Sequence, residues 1–165
     1  MRIGIDIMGG DYAPKAPLEG VLAAIGNLSP QSKIVLIGNE SIINSFLDER
    51  NADRSALEIV HAPEVIEMGE SPTKAFSQKR ESSIAIGFSL LQKNEIDVFL
   101  SAGNTGSMMV GSLYTVKAVE GVLRPAITSL LPRPDSGNGI ILDVGVNADC
   151  KPEALVQFAI LGTMY

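Results

Sequence analysis

Ile96-Asp97-Val98-Phe99-Leu100-Ser101-Ala102-Gly103-Asn104-Thr105-Gly106-Ser107 is an apolar run that breaks into small residues and then into a helical spacing of Met108, Met109, Leu113, Val116 and Val119. It reads as strand, tight loop and helix, with Gly121 as the helix stop. The small side chains at 102, 103 and 106 let backbone N–H groups face outward, and the following helix start adds unpaired donors. That is the chemistry of an anion site, and equally that of a tight turn that needs glycine. No Gly-Lys-Ser/Thr follows, so the loop is not a P-loop, and Gly-x-Gly-x-x-Gly is missing. A nicotinamide dehydrogenase is therefore disfavoured.

Outward from this stretch the chain alternates strand and helix. Arg2-Ile3-Gly4-Ile5-Asp6 is a short buried strand, followed by the aperiodic loop Met8-Gly9-Gly10-Asp11-Tyr12-Ala13-Pro14. A helix is expected over 17–27 with Leu18, Val21, Leu22 and Ile25 on one face. A strand follows over 33–37, then a helix over 40–50 with Ile42, Ile43, Phe46 and Leu47 inward, then a strand over 57–60 ending at His61. Residues 62–82 read as polar loop with a short helix after Pro72. Ile84, Ile86, Phe88, Leu90 and Leu91 mark a helix leading to the strand of the opening stretch, which is expected to lie centrally in the sheet. Strands at 126–131 and 140–144 flank a long turn over 132–139, and Pro152 opens the last helix. The pattern predicts one α/β domain with a mostly parallel, doubly wound sheet. The link between the last two strands is too short for a crossover helix, so one of them is antiparallel or lies in a subsidiary layer.

The 165 residues suffice for one domain with a proper core. The net charge of −6 disfavours general nucleic-acid binding. With 45% hydrophobic residues and a mean hydropathy of +0.22, the chain buries much of itself or meets a partner. No run reaches the roughly 18 apolar residues of a membrane span, and the start does not read as a signal peptide, which places the protein inside the cell. Leu161-Gly162-Thr163-Met164-Tyr165 ends in apolar helix without a polar tail, as expected of a chain that continues.

Three strand ends repeat one pattern, with Asp6 before Gly9-Gly10-Asp11, Ser101 before Gly103-Asn104-Thr105-Gly106, and Asp143 before Gly145-Val146-Asn147. Ligands in open parallel sheets bind beyond the carboxyl ends of strands, so the three loops are expected to converge on one crevice. Backbone N–H groups at 103–106, the Asn104 amide and the Thr105 hydroxyl suit phosphate or an oxyanion. Asp6, Asp11, Asp143 and Asp149 suit roles as general bases, as organisers of donors, or as ligands to magnesium through water, and equally as caps. Asp149 is expected to cap the last helix. Lys151 offsets phosphate charge or is simply solvated. Lys74, Lys79 and Arg80 are either a basic patch for an acidic partner or solubility charges. Cys150, the sole cysteine, reads as packing, and His61 as a satisfied strand-end residue.

The loops Ile5-Asp6-Ile7-Met8-Gly9-Gly10-Asp11-Tyr12-Ala13-Pro14 and Ser101-Ala102-Gly103-Asn104-Thr105-Gly106 carry a family resemblance, as do Leu142-Asp143-Val144-Gly145-Val146-Asn147-Ala148-Asp149-Cys150-Lys151-Pro152-Glu153 and Leu155-Val156-Gln157-Phe158-Ala159. The chain resembles the bacterial phosphate acyltransferases of phospholipid synthesis, over 1–165, as their N-terminal part. Val146 stands where that family usually has alanine, and Phe76-Ser77-Gln78-Lys79-Arg80-Glu81 is less basic than the family's run. The resemblance implies a three-layer Rossmann-like α/β/α fold of the isocitrate and isopropylmalate dehydrogenase type, and a homodimer peripheral to the cytoplasmic membrane face. It further implies acyl transfer from acyl-acyl-carrier protein to inorganic phosphate, without a cofactor or metal. Asp6, Asn104, Asp143 and Asn147 are then the candidate catalytic residues. Gly9, Gly10, Asp11, Gly103, Asn104, Thr105, Gly106, Gly145 and Lys151 are candidates for holding phosphate, and Lys74, Lys79 and Arg80 for meeting the carrier protein. A phosphotransacetylase-like enzyme using acyl-coenzyme A and a non-catalytic phosphate-binding fragment are the alternatives.

Overall fold

The computed structural model describes residues 1–134, 137–147 and 149–165, so part of the expected turn over 132–139 and Ala148 of the loop after Asp143 lie outside the described residues. The chain divides into two units, Met1–Val116 and Lys117–Tyr165.

In the first unit the elements run β1 (Arg2–Asp6), α1 (Lys15–Ile25), β2 (Lys33–Gly38), α2 (Glu40–Glu49), β3 (Leu57–His61), α3 (Pro72–Gln78), α4 (Ser83–Gln92), β4 (Val98–Leu100) and α5 (Thr105–Gly111). The four strands form one parallel sheet in the order β3-β2-β1-β4. Alternation along β2 sorts the core into two layers, as a period of two requires. Ile34 and Leu36 pack with Leu18, Val21, Ile43 and Leu47 from α1 and α2. Val35 and Ile37 face the other way, toward Ile96 and the partly buried Ile86, Leu90 and Phe99. Helices thus cover both faces of the sheet. Chain order reverses between β1 and β4, and that is where such a sheet opens a crevice.

Several expectations are corrected by the structure. The strand of the opening stretch is only three residues long and lies at an edge of this sheet, with Leu100 50% exposed. Ile42 is 40% exposed, because adjacent isoleucines lie about 100° apart on a helix and only Ile43 meets the sheet. The helix after Gly106 does not reach Gly121: α5 passes into a π-helical turn, Ser112–Val116, and Lys117 takes a left-handed φ of 70° that ends it. Val119 is left 78% exposed.

The second unit holds β5 (Thr128–Pro132), β6 (Asn138–Leu142) and α6 (Pro152–Met164). β5 and β6 pair antiparallel in a sheet of their own, as their short link dictates, so the 140–144 strand is not central to the parallel sheet. Pro152 starts α6 at its first turn, where a missing N–H is harmless. The residue at the N-cap of α6 is Lys151 rather than Asp149, and the Lys151 side chain makes no capping hydrogen bond.

Candidate functional site

β1 and β4 are neighbours, so their carboxyl ends deliver the Asp6 loop and the Ser101 loop to the same place. Asp6 is 2% exposed, and its charge is absorbed locally. Its Oδ1 accepts from the Met8 amide at 2.9 Å and its Oδ2 from the Ser101 hydroxyl at 2.7 Å, while Ser101 Oγ in turn accepts from the Gly103 amide at 3.0 Å. This relay spans 95 residues of sequence and locks one loop to the other. A Cβ on Gly9 would stand 2.5 Å from Asp6 Oδ2 and 2.8 Å from both Gly103 N and Ser101 Oγ. Glycine is needed there because the two backbones touch. At Gly106 the demand comes from α3, since a Cβ would lie 2.4 Å from Pro72 Cγ.

Asn104 has a different role from the one its position suggested. The side chain is 5% exposed and fully employed. Its Oδ1 caps α5 by accepting from the Ser107 amide at 2.9 Å, and its Nδ2 donates toward the carbonyls of Glu67, Met68 and Glu70 at 3.1, 3.2 and 3.2 Å. It fixes the 67–70 loop beside the 101–106 loop and has no donor left for a phosphate. Thr105 is exposed, and the amides of Thr105 and Gly106, as the first two of α5, lie outside the helix's own hydrogen-bond ladder. Gly10, with a φ of 104°, and exposed Asp11 complete the rim.

Two clefts border these loops. One, of about 490 Å³, lies along Ile5, Tyr12, Ala16, Pro17, Leu100 and Ser101. The other, of about 520 Å³, is bounded by Met8, Asp11, Val65, Glu67 and Gly69.

The basic cluster is dispersed. Lys79 Nζ donates to the Val65 carbonyl at 2.6 Å and pairs with Glu70 Oε2 at 2.6 Å, so it ties down the 62–82 loop instead of facing a partner. The Lys79 ammonium beside it and the Glu67 amide hold the Glu70 carboxyl below the usual range. Arg80 Nε bonds to the Ser77 carbonyl, and its side chain lines a separate cleft with Phe76 and Gln92, while Lys74 is exposed on α3. His61 is satisfied as expected, its Nδ1 accepting from the Glu40 amide at 3.2 Å.

In the second unit Asp143 organises its own loop. Its carboxylate accepts from the amides of Asn147 at 2.6 Å, Ile127 at 3.2 Å and Val146 at 3.4 Å. Burial works to raise its pKa, but these amides and the Asn147 side chain outweigh it and hold the carboxyl below the ordinary aspartate value. Asn147 Nδ2 donates to the Pro125 carbonyl at 3.0 Å, and Gly145 turns the loop at a φ of 124°. Lys151 is exposed and Cys150 is half-buried. Among the described residues, no group of His, Cys, Asp and Glu is arranged to hold a metal ion, and no helix is long and apolar enough to cross a membrane. The sequence points to the Asp6 and Ser101 loops but not to the 67–70 loop, whose only signal is its two glutamates and a glycine ahead of Pro72.

A phosphate acyltransferase from Caldicellulosiruptor saccharolyticus is 44% identical over 165 residues, covering all of this chain and 49% of the relative. That from Thermoanaerobacterium thermosaccharolyticum is likewise 44% identical, with 47% of its length covered, and that from Magnetococcus marinus is 40% identical. The chain spans about half the length of the curated relatives it matches. Among solved structures, a phosphotransacetylase from Streptococcus pyogenes superposes with a TM-score of 0.68 at 17% identity, and the EutD phosphotransacetylase from Staphylococcus aureus with 0.61 at 20%. Each covers 97% of this chain and is itself covered over 51%, a likeness of fold. The family model described as fatty acid synthesis protein matches residues 1–165, and the chain belongs to that family.

Proposed function

We propose that the chain supplies part of the active site of an enzyme that transfers a fatty acyl group from acyl-acyl-carrier protein to inorganic phosphate, giving an acyl phosphate for phospholipid synthesis. The observation that carries this reading is the locked pair of loops at the β1/β4 switch point, in a chain whose relatives are phosphate acyltransferases. A phosphate oxygen attacks the thioester carbonyl carbon, the C–S bond breaks, and the carrier thiol leaves. Phosphate is itself the nucleophile, so the protein's task is to position two anionic partners and stabilise the oxyanion. Backbone at Gly9, Gly10, Thr105 and Gly106 holds phosphate, while Asp6, Asn104 and the Gly103 amide, which donates to Ser101, keep those loops in place. Within the second unit, Asp143 and Asn147 hold their own loop, turned at Gly145, in shape. Lys74 and Arg80 remain to meet the carrier protein.

In this reading the 165 residues are one α/β domain, the N-terminal part of a longer chain with the three-layer fold of isocitrate and isopropylmalate dehydrogenases. That enzyme is a cytoplasmic homodimer peripheral to the membrane. The test is hydroxylamine trapping of acyl phosphate from long-chain acyl-carrier protein plus phosphate, using the chain in its full-length protein. Acyl hydroxamate that depends on phosphate supports the reading, and its absence refutes it. Replacing the donor by acyl-coenzyme A in the same assay separates a phosphotransacetylase-like enzyme, whose fold this chain shares.

A further inference from the structure

We infer that the 490 Å³ cleft beside the carboxyl end of β1 takes the hydrocarbon chain of the acyl group, an assignment that rests on the acyl-transfer reading above. Its walls are Ile5, Tyr12, Ala13, Ala16, Pro17 and Leu100. The size suits a small-molecule pocket, and the lining is apolar over most of its length, as such pockets are. Its polar end is formed by Asp6 and Ser101, whose facing oxygens are bonded to each other at 2.7 Å. A chain of methylenes entering the cleft therefore strips water from no unpaired donor of that pair, and every methylene buried there favours binding.

The neighbouring surfaces fit this occupant less well. Asp11 stands at the rim of both this cleft and the one by Met8 and Gly69, but the latter adds the Glu67 carboxylate and lacks the walls of Ile5, Pro17 and Leu100, and the one by Phe76 carries Arg80 and Gln92. Of these three clefts, the first joins its apolar groove to the loops proposed to hold phosphate. An acyl group running along Ile5 and Leu100 brings its carbonyl to the Ser101 end, beside Gly103 and Gly9. The polarity of the cleft thus matches the polarity of an acyl phosphate, apolar tail to anionic head.

The chain has no tryptophan, so one introduced indole reports alone. Ala16→Trp places it on the cleft wall at an exposed helix position, and Leu155→Trp places a control on exposed α6. A long-chain fatty acid brominated along its tail is titrated below its micelle concentration. Saturable quenching of Ala16→Trp, reversed by unbrominated long-chain but not short-chain acid, and little quenching of Leu155→Trp, is the expected result. Adding Leu100→Asp to Ala16→Trp weakens binding by about tenfold or more, with circular dichroism confirming the fold. Equal quenching of both reporters means nonspecific adsorption and overturns the assignment, as does no quenching of Ala16→Trp. Phosphate-dependent acyl hydroxamate without quenching removes the cleft assignment alone. Quenching without acyl hydroxamate from any donor removes the reaction and leaves the cleft as an alkyl-chain site.

Discussion

Replacing Asn104 with alanine separates a positioning residue from a ligand contact. The substitution deletes the cap on α5, a loss of about 1 kcal/mol. It also deletes the amide that serves the carbonyls of Glu67, Met68 and Glu70. A side-chain NH₂ has two hydrogens for these three acceptors, so at most two full bonds are lost, at about 1 kcal/mol each. The sum is about 3 kcal/mol. For a chain of this length it corresponds to a fall in Tm of roughly 6–12 °C. Asn104→Asp retains the capping oxygen but turns a carboxylate oxygen on the carbonyls, so it is expected to be no more stable than the alanine variant. Urea unfolding followed by circular dichroism measures both. If Asn104→Ala costs less than about 0.5 kcal/mol, or Asn104→Asp is as stable as the native chain, the three-carbonyl clamp is not what holds the 67–70 loop.

Three further outcomes follow from the same geometry. Ser101→Ala removes the hydroxyl from the buried Asp6 carboxylate and is expected to cost about 1.5–3 kcal/mol by chemical denaturation. Gly87→Ala drives a Cβ to 2.2 Å from Phe99 Cζ, an overpacking cost of about 1–3 kcal/mol. The better helix propensity of alanine offsets about 1 kcal/mol of that, and Phe99→Leu in the same chain recovers most of the loss in a double-mutant cycle. The carboxyls of Glu70 and Asp143 are held below their ordinary values in the folded chain, so their contribution is complete above the unfolded carboxylate range and lost as pH falls from about 4 through the depressed values. Asp143→Asn is expected to flatten the acid limb of a stability-versus-pH curve; an unchanged limb would contradict the bonding at that loop.

What the sequence makes legible is the part of the structure set by local pattern. Asp6 ends its strand where expected, Pro72 and Pro152 open helices, and the short link between β5 and β6 forces their antiparallel pairing. Strand neighbours are another matter, since a period of two says which face a residue takes but not which strand lies beside it. So β4 reads as central from its apolar run and lies at an edge of the described sheet. The early helix end at Lys117 rests on a left-handed φ at a lysine, which composition does not signal. The glycines at 9 and 106 were legible as constraints but not by cause, because the atoms they make room for belong to Asp6, Ser101 and Pro72. Asn104 shows the limit most sharply. Its cap is local, but its three carbonyl partners lie 34 to 37 residues earlier in the chain.

Charge around the switch point decides how firmly these loops hold phosphate. The residues lining the two clefts there include Asp6, Asp11 and Glu67 and no lysine or arginine. Asp6 is compensated by Met8 and Ser101, so the uncompensated field at the rim is that of Asp11 and Glu67, which opposes an anion. Backbone amides alone must outweigh it, and phosphate binding by this chain is expected to be weak. At a phosphate concentration equal to Kd the gain in stability is only ~0.4 kcal/mol, or ~1–2 °C in Tm. Exposed Asp11 offers a direct test, because Asp11→Lys changes the rim by two unit charges without entering the core. At low salt that change is worth on the order of 1–2 kcal/mol, about tenfold in phosphate affinity. Most of the gain should disappear at high salt, where surface charges are screened. Calorimetric titration with phosphate at both salt concentrations reads the effect. An Asp11→Lys chain that binds phosphate no better than native at low salt would place the anion away from the Asp6 and Ser101 loops, and the assignment of Gly9 and Gly10 to phosphate would fall with it.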